Sequence, residues 1–123
     1  MKQKLVIKGR FPSLNEIIAS AKSHPMVYAK EKKKLTTSVA LLAKVQKLVP
    51  VLGSVQVDFY WYEPNRRRDP DNIQVGMKFV LDGLVLGGIL PTDGWGTIKG
   101  LSSRFLLDPE NPRVEVQIEQ WRE

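Results

Sequence analysis

Residues 66–72 read Arg-Arg-Arg-Asp-Pro-Asp-Asn. Three guanidinium groups, each a rigid fork of donors matched to phosphate oxygens, run directly into two carboxylates spaced i, i+2. Carboxylates so close in sequence are hard oxygen donors suited to Mg²⁺ or Mn²⁺. A phosphate-seeking element beside a hard-cation site is what metal-assisted chemistry on a phosphate backbone requires. Pro70 favours an extended Asp69, and in extended chain the side chains of Asp69 and Asp71 point the same way and can share one ion. The same residues also have a structural reading: a helix start in which Asp71 accepts backbone N–H groups and Asp69 pairs with an arginine.

A third carboxylate would complete a cation site. Asp93, in Pro91-Thr92-Asp93-Gly94, is the candidate, because an antiparallel return after the helix beginning near Asp71 brings it back; the alternative is a plain Asp-Gly turn. Lys78 lies seven residues after Asp71. On a continuous helix that puts both on one face, about 10 Å apart along the axis, with the ammonium reaching toward a phosphate. Its other role is an i, i+4 pair with Asp82, worth a few tenths of a kcal/mol, roughly. Arg66, Arg67 and Arg68, with Lys32, Lys33 and Lys34, are the candidate DNA contacts. The lysines equally describe the solvated face of a helix.

These residues need elements to position them. Lys4–Lys8 reads as a first strand closed by Gly9, and Pro12-Ser13 as a break and helix cap before a weakly helical stretch over 14–22. After the His24-Pro25 interruption, the longest helix is expected from Tyr28 to Val49, with Leu35, Val39, Leu42, Val45 and Leu48 as its buried stripe and Pro50 as its stop. Val55–Tyr62 alternates as a strand, with Val55, Val57, Phe59 and Trp61 on the core side. A second helix is expected from a cap at Asp71 or Asn72 to about Leu86, burying Ile73, Met77, Val80, Leu81 and Leu84. Strands near Thr97–Leu107 and Arg113–Glu119 complete an α+β fold. It is a small mixed β-sheet of about four strands with two main helices, in the order β-α-β-α-β-β, over a single domain spanning 1–123.

Composition bounds the rest. The chain has 123 residues, 42% hydrophobic and 26% charged, as in an ordinary globular domain with a real core. A formal net charge of +6 favours polyanionic partners. The absence of cysteine excludes disulfides and thiolate zinc sites, and the single histidine, His24, has no HExxH context. No P-loop or GxGxxG spacing occurs. No apolar run approaches the roughly 20 residues of a membrane span, and the first residues suit a strand rather than a signal peptide; the expectation is a cytoplasmic protein without membrane contact.

Taken in order, Arg66-Arg-Arg-Asp-Pro-Asp-Asn-Ile73, Lys78-Phe-Val-Leu-Asp-Gly-Leu84 and Leu90-Pro-Thr-Asp93 resemble the RusA family of Holliday junction resolvases. Phe11-Pro-Ser-Leu-Asn15 is similar to that family's proline-asparagine segment after the first strand. The resemblance implies a Mg²⁺-dependent endonuclease, often prophage-borne, that cuts four-way DNA junctions as a homodimer in recombination and repair. It further implies Asp69, Asp71 and Asp93 as the metal-binding set and Lys78 as the catalytic lysine; the carboxylate oxygens suit Mg²⁺ and Mn²⁺ alike. One spacing differs: the family's lysine follows the asparagine by three residues, whereas Lys78 follows Asn72 by six. On a continuous helix, three extra residues turn the lysine by about 300° and advance it about 4.5 Å. The competing expectations are a non-catalytic DNA-binding phage accessory protein and a metal-dependent nuclease for flap or duplex DNA. As a dimer contact, the apolar strand face around Phe59 and Trp61 is less suited than as core.

Overall fold

The computed structural model describes residues 2–122. Its elements are β1 (Lys2–Lys8), α1 (Leu14–Ser23), α2 (Pro25–Val45), β2 (Val55–Glu63), α3 (Pro70–Gln74), α4 (Met77–Leu86), β3 (Ile98–Leu107) and β4 (Arg113–Gln120). The four strands form one mixed sheet in the order β1-β4-β2-β3. β4 runs antiparallel to both β1 and β2, whereas β3 is parallel to β2. A parallel neighbour needs a crossover, and α3 with α4 supplies it. The expected α+β class with a four-stranded mixed sheet is what forms.

The alternation of β2 decides which sheet face is core. Val55, Val57, Phe59 and Trp61 are buried, with Leu5 and Ile7 of β1 and Val114, Val116 and Ile118 of β4 beside them. Phe59 and Trp61 stack with ring centroids 5.3 Å apart, and the Trp61 indole N–H donates to Ser103 Oγ at 3.0 Å. Both aromatics therefore belong to the core.

The helices depart from expectation in four ways. The stretch over 14–22 is a full helix, α1, closed by a capping box in which Ser13 and Glu16 bond each other's backbone N–H. His24 then both ends α1 and begins α2, with Pro25 in the first turn, where its missing N–H costs nothing. α2 thus starts three residues before the expected Tyr28.

α2 also stops at Val45, not Val49. Lys47 takes a left-handed φ of 62°, and Leu48 N–H bonds Ala43 C=O while Lys47 N–H bonds Lys44 C=O. This is a Schellman closure carried by a lysine where glycine is usual, so Pro50 plays no part. Val45 is 74% exposed rather than in the buried stripe, because two successive steps of three from Val39 turn it about 120° off the face, and Val39 with Ala43 forms the centre of that stripe.

The second expected helix is two. α3 ends at Gln74 and α4 starts at Met77. At the break, Gly76 passes against the core aromatics: a Cβ there would lie 3.0 Å from Phe11 Cβ and 3.1 Å from Trp61 Cζ3. The α4 stripe of Val80, Leu81 and Leu84 is buried as expected, as is Ile73 of α3; Met77 is only partly covered. Gly83 lets α4 approach α2 so closely that an added Cβ would meet Val39 Cβ at 2.4 Å and the Thr36 carbonyl at 2.9 Å. No described helix is long and apolar enough to cross a membrane.

Candidate functional site

The arginine run leaves the buried end of β2. Glu63, 6% exposed, accepts from Arg10 Nη2 at 2.8 Å, and its carbonyl accepts from Asp108 N–H. Arg68 reaches back across the fold: Nη1 donates to the Phe11 carbonyl at 2.9 Å and Nη2 pairs with Glu16. The bond to the Ser13 backbone, with Arg68 and Arg10 nearby, holds the Glu16 carboxyl below the ordinary glutamate value. Arg68 is thus a staple between the arginine loop and the start of α1. Arg66 and Arg67 are exposed and form no ion pair among the described residues. A cavity of about 550 Å³ opens between this loop and the end of β3, lined by Tyr62, Glu63, Arg66, Asp69 and Phe105 among others.

Asp69 is extended (φ −71°, ψ 154°), as its place before Pro70 requires, and occupies the cap position of α3 without any side-chain cap bond. Asp71 lies one residue inside the helix. The expected cap at Asp71 or Asn72 is therefore corrected: Pro70 supplies the first helical residue, and the chain turns helical before Asp71 can cap it. Both aspartates are exposed, and neither is paired with an arginine among the described residues. Asn72, next in sequence, carries a buried Oδ1 with no hydrogen-bond partner.

Lys78 and Asp93 do meet. The chain after α4 doubles back, and Lys78 Nζ lies 3.4 Å from Asp93 Oδ2 and 3.1 Å from Asp82 Oδ1. The bond to Asp82, with Asp93 adding to it, raises the lysine above its ordinary value, so the ammonium is fully charged at neutral pH. The break at Gly76 removes the premise that placed Lys78 on the same face as Asp71: the two belong to different helices, and the three extra residues fall across the interruption rather than turning one continuous rod.

The candidate residues thus fall into two groups, Asp69 and Asp71 with the arginines, and Asp93 with Lys78 and Asp82. Among the described residues no group of three His, Cys, Asp or Glu side chains lies close enough to hold a metal ion. The donors nonetheless suit Mg²⁺ in type. All are carboxylate oxygens, and Mg²⁺ is held by one or two of these plus phosphate oxygens and water. On α2, Lys32 is partly covered at a cleft with α1, while Lys33 and Lys34 are exposed. The Arg10–Glu63 and Arg68–Glu16 staples join residues 53 and 52 apart in sequence, and nothing local announces them. No family model matches the chain, and no curated protein matches it either.

Proposed function

We propose that this chain is a Mg²⁺-dependent endonuclease for branched DNA, four-way junctions foremost, acting in recombination and repair as a cytoplasmic homodimer. The observation that carries this reading is that Asp69 and Asp71 stand exposed next to the unpaired Arg66 and Arg67, and among the described residues neither carboxylate makes a side-chain cap bond or an ion pair. The ordered resemblance to the RusA family supplies the reaction. Asp69 and Asp71 would hold the cation together with phosphate oxygens and water, Asp93 lying in the other group with Lys78, and Mg²⁺ or Mn²⁺ would supply Lewis acidity and water activation at the scissile phosphate. Asp82 and Asp93 orient the Lys78 ammonium, which would neutralise charge developing on the phosphate oxygens. Arg66 and Arg67 would hold the backbone, giving affinity that falls with salt, with Lys33 and Lys34 on α2 as further contacts.

Two opposed cuts need two sites related by symmetry. The sheet edges support a dimer through β3: β1 is guarded by Lys2, Lys4 and Lys8, whereas β3 exposes Leu101, Phe105, Leu106 and Leu107.

A labelled four-way junction and a linear duplex of the same sequence test the proposal. Wild type with Mg²⁺ is expected to cut the junction, EDTA to stop it, and Asp71→Asn to lower cleavage by about 100-fold or more while leaving binding intact. Equal cutting of both substrates would replace the junction specificity with a flap or duplex nuclease. The second reading, a non-catalytic DNA-binding module, is favoured by the separation of the carboxylates into two groups. It predicts junction binding with no cleavage in Mg²⁺ or Mn²⁺.

A further inference from the structure

Trp95 is 91% exposed, the most exposed large hydrophobic side chain described. An indole left in water forgoes roughly 150–250 Å² of burial, so its display calls for a partner. The turn that carries it is not loose. Thr97 N–H and Ile98 N–H both bond the Gly94 carbonyl, Gly94 N–H bonds Thr92 Oγ1, Thr92 and Thr97 share a hydroxyl bond of 2.9 Å, and Ser54 Oγ bonds the Gly96 carbonyl. Thr97 is buried and anchors the turn to the fold. Trp95 stands between Gly94 and Gly96, neighbours with no side chains to cover its ring.

Two further features give the partner its chemistry. Trp95 is two residues from Asp93, the carboxylate bonded to Lys78. Beyond the turn, β2 and β3 slip register: Val55 faces Ile98 but Gln56 faces Gly100, leaving Lys99 as the extra residue of a bulge. Bulges re-aim a side chain, and Lys99 is exposed with no ion pair among the described residues. A rigidly held bare aromatic followed by an unpaired ammonium on one short segment is the pairing that takes a base on its π-face and a phosphate on its charge.

We propose that residues 94–100 form a single-stranded nucleotide site in which Trp95 stacks on an unpaired base and Lys99 takes a neighbouring phosphate. It rests on the reading of the chain as a DNA-acting protein and goes beyond it, making an unstacked base the feature recognised at the branch. Stacking needs no metal and no cleavage, so it is tested apart from the nuclease activity. Full-length protein in EDTA is titrated with a 12-nucleotide single strand of mixed sequence and with the blunt duplex of the same sequence, following tryptophan fluorescence and anisotropy of a labelled strand.

Saturable quenching by the single strand is expected. Trp95→Ala should abolish most of the quenching and weaken single-strand binding roughly 5- to 150-fold, what one stacked base is worth, with little change for the duplex; Trp95→Phe should restore most of the affinity. Lys99→Ala should reduce the salt dependence by about one phosphate contact. Unchanged single-strand affinity in Trp95→Ala, equal losses on single strand and duplex, or no binding of the single strand by wild type would each overturn the assignment, whether or not junctions are cut. So would a change of oligomeric state in Trp95→Ala by size-exclusion chromatography, which would make the indole a contact between copies.

Discussion

Lys78 holds its ammonium between Asp82 and Asp93, and the arginine run shows a comparable division of labour within three consecutive residues. Arg68 bonds the Phe11 carbonyl and Glu16, whereas Arg66 and Arg67 point no charge at any carboxylate among the described residues. Truncating the three should therefore separate folding from binding. Arg68→Ala is expected to cost about 1–2 kcal/mol in urea unfolding, because it strips charge-assisted bonds from a partly covered site. Arg66→Ala and Arg67→Ala should shift stability by less than about 0.5 kcal/mol, and under the proposed function weaken DNA binding and flatten its salt dependence. A run of identical residues reads as one element in sequence. Which member turns inward is set by residues 52 and 57 positions away, beyond any local pattern.

At the scale of elements, the close crossing of α2 and α4 depends on Gly83. Its missing Cβ leaves room that Val39 and the Thr36 carbonyl fill, and one of those two atoms is backbone that cannot swing aside. Gly83→Ala raises helix propensity by about 1 kcal/mol, but the clash should win, with a net destabilisation of about 1–3 kcal/mol in thermal or denaturant unfolding. A net gain in stability would show that α4 can shift outward without loss. The apolar patterns of β2 and α4 were legible because burial on one face imposes period 2 or 3.6 on the sequence. The end of α2 was not, because a lysine at φ 62° carries no signal that distinguishes it from a helical lysine. The break at Gly76 was not legible either, since a lone glycine inside an apolar repeat is compatible with a continuous helix; the decisive neighbours, Phe11 and Trp61, come from other elements.

For the molecule as a whole, ion pairs tie distant strands and make stability depend on pH in a defined direction. Glu115 is held below the ordinary glutamate value first by its bond to Lys4 and then by Arg113, joining β4 to β1, and Glu16 is lowered by the Ser13 backbone bond and Arg68. For a carboxyl lowered in the folded state, the unfolded chain binds its proton at higher pH. The stabilisation is complete above the ordinary value, about pH 4.3, and is lost as pH falls through the lowered one. Melting temperature should fall as pH is lowered below about 4.3, the ordinary glutamate value, and Glu115→Gln should fall less steeply over that range. Lys78 works in the opposite sense: raised in the folded state, it contributes fully below its ordinary value and is lost only as pH rises through the higher one. At 60% exposure that contribution is small.

The amino-acid order alone determined the α+β class, the four strands, the core face of β2 and which charged side chains fall next to one another in the chain. Those properties follow from local periodicity, turn residues and side-chain type. Tertiary structure decided that Arg68 is a staple, that Asp93 reaches Lys78, and that the helix between Asp71 and Lys78 is broken. Each of those depends on contacts between elements far apart in the chain, where packing against Phe11, Trp61 and Glu16 overrides what neighbouring residues prefer.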